Sequence, residues 1–110
     1  DGFLPDTVSS DIHNSHLGWD PPHDLPKTVS RIMAVGLSAE DAFRMSTIRP
    51  ARVLGLEGEI GTLAPGASGD VSVLRWSEEP VPLADAADGV RSGPALEPVI
   101  TVRAGRVFEP

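Results

Sequence analysis

The residues best suited to acid–base or metal chemistry crowd into one short stretch: Asp11, His13, His16 and His23, which include every histidine of the chain. Carboxylates and neutral imidazoles bind divalent cations, and imidazole moves protons near neutral pH. The chain has no cysteine, so thiolate ligation and a disulfide framework are excluded and any metal ligand must be His or carboxylate. The same absence fits a reducing cytoplasm, where the protein is expected to reside. The spacing is undemanding, because His13-x-x-His16 on a loop fixes no metal geometry. His16 and His23 therefore read first as solvated loop histidines. Asp11 has two local readings, a turn residue closing a strand or a strand-end carboxylate that meets a ligand. His13 is either exposed to solvent or close enough to contact substrate and orient a ligand through its ring N–H. Trp19, between Gly18 and Asp20, either lines a pocket or anchors its loop.

Charge removes two classes of partner. The formal net charge is -7, and Lys27 is the only lysine among nine basic residues. Nucleic acid needs a concentrated positive footprint, and an anionic membrane surface needs a polybasic segment. Neither partner is expected. No apolar run is long enough for a membrane span or signal sequence, and the chain, opening Asp1-Gly2-Phe3-Leu4, reads as starting in mid-protein. At 110 residues it holds one domain's worth of sequence.

The elements that must position these residues fall into three stretches. Residues 6–10, following Pro5, lean toward a short strand that ends at Asp11. A polar, turn-rich loop follows, with Asn14, Gly18, Pro21 and Pro22. A loop this long in a small domain points to function. Helices come next. Asp24 can cap a first helix with Pro26 in its opening turn, Leu25, Val29, Ile32 and Met33 on one face and Gly36 at its end. Ser38, with Asp41 three residues on, opens a second; Pro50 starts a third over residues 50–54, closed by Gly55. The remainder is β. The turn cluster of residues 61–70 feeds a strand over residues 71–76 that reads as covered on both faces. Residues 99–103 and 106–109 form a hairpin about Ala104-Gly105. Residues 77–97, interrupted by Pro and Gly, read as a surface excursion. A sheet this small has an unpaired edge, which implies a missing partner sheet or chain.

Two runs carry a resemblance: Arg49-Pro50-Ala51-Arg52-Val53-Leu54-Gly55-Leu56, and Gly58-Glu59-Ile60-Gly61-Thr62-Leu63-Ala64-Pro65-Gly66-Ala67-Ser68-Gly69-Asp70-Val71-Ser72-Val73. Their order, behind a strand ending in Asp and a loop with His, resembles the C-terminal end of amidohydrolase-superfamily enzymes. The upstream Pro5-Asp6-Thr7-Val8-Ser9-Ser10-Asp11-Ile12-His13 with Asp24-Leu25-Pro26 looks most like the dihydroorotase-like deacetylase and D-aminoacylase-related branch. The resemblance implies an α/β plus β fold. Residues 1–56 would be the end of a (β/α)8 barrel, with residues 7–10 as its eighth strand and residues 24–36 in its last helix; residues 57–110 would belong to a small β-sandwich.

It also implies a metal centre of one or two divalent ions, zinc being expected, with most ligands outside this chain. Barrel enzymes carry their chemistry where strands end at the C-terminal face, which makes Asp11 the expected metal ligand and proton shuttle and His13 a substrate contact. The implied reaction is hydrolysis of a C–N amide bond, or an ester, in a small acylated molecule. The implied partners are that small-molecule substrate and the rest of the enzyme chain or further copies in a homo-oligomer. Two other readings stay open: an inactive fragment or homologue serving as a packing module, and a small-molecule binding domain built on the histidine loop. The Arg49-to-Leu56 run and Gly66-to-Gly69 read as structural, because a Gly-rich turn entering a strand offers no helix N-terminus to a phosphate.

Overall fold

Three capped helices lead into two small antiparallel sheets. The computed structural model describes residues 2–18, 24–85, 87 and 89–109. Helix α1 spans Leu25–Ala34, and the Asp24 carboxylate accepts the Lys27 N–H at 2.7 Å, which satisfies one of the orphan donors of the first turn. Helix α2 spans Ala39–Ser46; the Ser38 hydroxyl accepts the Asp41 N–H at 3.1 Å, and Asp41 takes the Ser38 proton in return. Helix α3 spans Ile48–Val53, two residues earlier than Pro50 predicts. Proline is tolerated anywhere in the first turn, whose N–H groups lack helical partners. Gly55, at φ 71, ends it in a left-handed turn that returns the Leu56 N–H to the Ala51 carbonyl at 2.8 Å.

Strands β1 (Val71–Trp76), β4 (Leu96–Arg103) and β5 (Arg106–Phe108) make one sheet in the order β1-β4-β5, and β2 (Val81–Ala84) pairs with β3 (Val90–Gly93) in another. The β4–β5 hairpin turns at Ala104 and Gly105, both at positive φ, which matches the right-handed twist of the flanking strands. Strand β4 is central yet contains Pro98, which cannot donate to a ladder. The register slips beside it, Val73 facing Ile100 and Leu74 facing Pro98, so a bulge absorbs the missing donor.

The core lies where α1 crosses β4. Val29, Ala42 and Leu96 are buried there, with Leu25, Ile32, Met33, Phe43 and Leu74 packed around them. Ser30, fully buried, ties the layers together: its hydroxyl donates to the Pro26 carbonyl at 2.7 Å and accepts the Leu96 N–H at 2.9 Å. A buried β-strand N–H without a sheet partner would otherwise be costly.

Four expectations are corrected. Residues 7–10 form no strand. A barrel strand is defined by ladders to two neighbours, and this chain supplies neither. Residues 77–97 are no plain excursion, since they hold β2, β3 and the start of β4; four-residue strands, one containing Pro82 and the other followed by Pro94, leave little periodicity to read. Strand β1 is not covered on both faces, with Val73 42% and Trp76 46% exposed. The material that would cover it is absent among the described residues. The loop after Asp11 also contains a single 3-10 turn, Asn14–His16.

Candidate functional site

Asp11 hangs between two fastenings. Three residues before it, the Val8 N–H donates to the Met45 carbonyl at 3.0 Å, tying the N-terminal segment to the end of α2. Two residues after it, the His13 N–H donates to His16 Nδ1 at 3.2 Å, and the His16 N–H closes the turn on the His13 carbonyl at 2.9 Å. The His13 and His16 rings lie 4.0 Å apart at 37°. Ser15 Oγ sits 2.9 Å from His13 Nδ1. Between the fastenings Asp11 adopts φ 54, a left-handed backbone that Asp tolerates better than most side chains because it is short and polar.

The Asp11 carboxylate is exposed and makes no hydrogen bond or ion pair among the described residues. Its chemistry suits a hard divalent cation, for which carboxylate oxygen is a normal ligand. It is one donor and no more: among the described residues no three His, Cys, Asp or Glu side chains approach closely enough to hold a metal ion. His13 is also exposed and two residues from Asp11, which keeps it within the same neighbourhood. His16 is half-buried and is engaged inward by the backbone of His13. Trp19 and His23 lie outside the described residues.

An open groove of 1010 Å³ runs elsewhere, between the helices and the larger sheet. Leu25, Val29, Phe43, Leu54, Leu74 and Val102 line it, and neither Asp11 nor His13 reaches it. Its apolar lining and distance from the ionisable cluster mark it as unfilled core. The Asp70 carboxylate is engaged on both oxygens. It accepts the Ala104 N–H at 2.7 Å and the Ser68 hydroxyl at 2.8 Å. The Ala104 bond first, then Ser68 and the positive charge of Arg103, hold its carboxyl below the ordinary value of 3.8. Asp70 therefore clasps the turn to the hairpin.

Sequence reasoning missed the fastening role of His16. The signal was present, because residues 13 and 16 have the N-cap-to-N3 separation of a reciprocal cap, a spacing more telling for a turn than for a metal.

The sequence pattern of the amidohydrolase family matches residues 3–108. The chain belongs to the amidohydrolase family. Among curated members of similar sequence, adenine deaminase 1 of Carboxydothermus hydrogenoformans is 35% identical over 74 residues, 66% of this chain and 11% of that protein. The 5-methylthioadenosine/S-adenosylhomocysteine deaminase of Symbiobacterium thermophilum is 51% identical over 37 residues, 34% of this chain and 8% of that protein. Among solved structures, an adenine deaminase superposes with a TM-score of 0.85 at 23% identity, over 99% of this chain and 30% of that one. A dihydroorotase superposes with a TM-score of 0.79 at 26% identity, over 98% and 29%. The amidohydrolase chain described here thus spans about a tenth of the curated relatives and under a third of the solved ones. No helix among the described residues is long and apolar enough to cross a membrane.

Proposed function

We propose that this chain is the C-terminal part of a metal-dependent hydrolase that opens a C–N bond of a small molecule, with Asp11 as one metal ligand and proton shuttle. The observation that carries the reading is the amidohydrolase match across residues 3–108, which spans the Asp11 segment and the turn motif together. On this reading residues 1–56 close the barrel, residues 57–110 belong to the sandwich, and the enzyme works in the cytoplasm. Asp11, with ligands from the rest of the enzyme, would hold a divalent cation, zinc on this reading, and such an ion would supply water activation at neutral pH, lowering the pKa of water to about 7. The remaining work falls to side chains. Asp11 offers two carboxylate oxygens, one to ligate and one to take a proton from the attacking water and return it to the departing nitrogen. Among the described residues neither oxygen makes a hydrogen bond, which leaves both available. His13, beside it, orients the substrate through an imidazole N–H. The substrate is a small amide or ester, or an amine of the kind named by the deaminase relatives.

The test uses the full protein with Zn2+ and after chelation, against adenine, 5-methylthioadenosine, S-adenosylhomocysteine and N-acetyl amino acids. Turnover of one compound that disappears on chelation supports the reading; turnover indifferent to chelation sinks it. A second reading, a catalytically inactive packing module, is favoured by the absence of any three-ligand cluster among the described residues. It would gain from a full protein that binds no metal. Stoichiometric tight zinc on the isolated 110 residues would contradict the assignment of the other ligands to the rest of the enzyme.

A further inference from the structure

The segment from Phe3 to Gly18 lies almost wholly in solvent, yet its proposed reacting group must be placed to a fraction of an ångström, since an error near 1 Å costs about 100-fold in rate. Upstream of Asp11 a backbone hydrogen bond, Val8 to Met45, ties the segment to α2. Downstream the tie is an imidazole: His16 Nδ1 accepts the His13 N–H at 3.2 Å. That bond requires the lone pair on Nδ1, so the His16 proton sits on Nε2. His16 is also more buried than its neighbours Ser15 and Leu17, and its ring rests 4.0 Å from that of His13. The backbone bond therefore stops the chain from swinging at the residue that carries the proposed substrate contact, two positions from the proposed metal ligand.

We propose that His16 is a positioning residue, whose Nδ1 fixes the backbone that presents Asp11 and His13 to the reaction. The inference rests on the reading of Asp11 given above. The discriminating pair of substitutions is His16→Phe and His16→Asn. Phe keeps a ring against His13 and removes the acceptor; the Asn side-chain oxygen stands where Nδ1 stood and removes the ring.

The experiment measures kcat and KM of the full enzyme on whichever of the four test compounds the wild type turns over, beside Asp11→Asn as a reference and with unfolding midpoints for each variant. His16→Phe is expected to lower kcat by about 10- to 100-fold with KM little changed and the midpoint preserved, while His16→Asn keeps most of the wild-type kcat. Wild-type kcat in His16→Phe, or an equal loss in both variants, overturns the proposal. Should His16→Phe fail to fold, His16→Asn decides alone, and a loss beyond about tenfold counts against the idea. An inactive Asp11→Asn with an unaffected His16→Phe defeats only the positioning role; an active Asp11→Asn defeats the reading beneath it. Nitrogen-15 shifts of the histidine rings in metal-free protein need no substrate. They are expected to show His16 protonated on Nε2 with Nδ1 accepting, and a proton on Nδ1 at neutral pH would overturn the assignment.

Discussion

The N-terminal arm and the turn-and-sheet unit of this amidohydrolase chain are built on opposite terms. In the arm, residues 2–18, Phe3 is 94% and Leu17 76% exposed, and the Val8 N–H reaches the Met45 carbonyl of α2. In residues 56–109 the contacts are dense and mutual. The Ser68 N–H meets the Glu59 carbonyl at 2.7 Å, Gly105 meets Gly69 at 3.0 Å, and Asp70 holds Ala104. The ionisable cluster sits on the loosely held part, and the tightly held part carries no candidate chemistry. The difference teaches that a family's most legible motif is the one whose shape is set by contacts within the same chain, as between Gly69 and Gly105 or Asp70 and Ala104.

Substitutions on each side sharpen that contrast. The largest effect is expected from Asp11→Asn in the full enzyme: a fall in turnover of about 100- to 10,000-fold, the range for loss of a general acid–base group, with the unfolding midpoint unmoved. Turnover equal to wild type would remove Asp11 from the mechanism and leave the arm without a function. Gly61→Ala should do the reverse, unfolding the protein while the chemistry of surviving molecules is untouched. A Cβ there would stand 2.5 Å from the Thr47 carbonyl oxygen at a backbone φ of +71, so about 3 kcal/mol of stability is expected to go. A denaturant midpoint like wild type would show that α3 and the turn are free to part. Ser30→Ala leaves the Leu96 N–H buried without its acceptor and should cost about 1–3 kcal/mol in the same measurement.

The smallest effect concerns pH. Asp70 has its carboxyl held below 3.8 in the folded protein, so its ionised form favours folding above that value, and the benefit fades as pH falls through the lowered folded value. The gap in midpoint between wild type and Asp70→Asn should therefore be constant near neutrality and close at pH below 3.8. A gap that ignores pH would locate the benefit in packing instead.

How much was legible follows the same division. Asp24, Ser38 and Gly55 announce helix ends through local chemistry, and the structure places each where its side chain or backbone freedom requires. The Ala104-Gly105 turn announces the hairpin for the same reason. Residues 7–10 were read as a strand from β-leaning composition, but composition cannot form a ladder without neighbours. The β2–β3 pair escaped because its side chains lean on α1, and its prolines argue locally against strands. At the candidate site, residue type makes Asp11 and His13 candidates and the family resemblance is what selects Asp11. The left-handed backbone at Asp11 and the grip of His16 on His13 are not legible in the sequence, since both depend on conformation.

The Ser30 hydroxyl sets a schedule for biosynthesis. Its acceptor role joins it to Leu96, 66 residues later, and at about 5–20 residues per second the ribosome delivers β4 roughly 3–13 s after α1. Within that interval Ala42 and Phe43, which pack on the same cluster, emerge first, and β2 and β3, which also pack on α1, emerge next. Strand β4, whose Leu96 N–H the Ser30 hydroxyl accepts, is therefore the last of the partners of α1 to arrive.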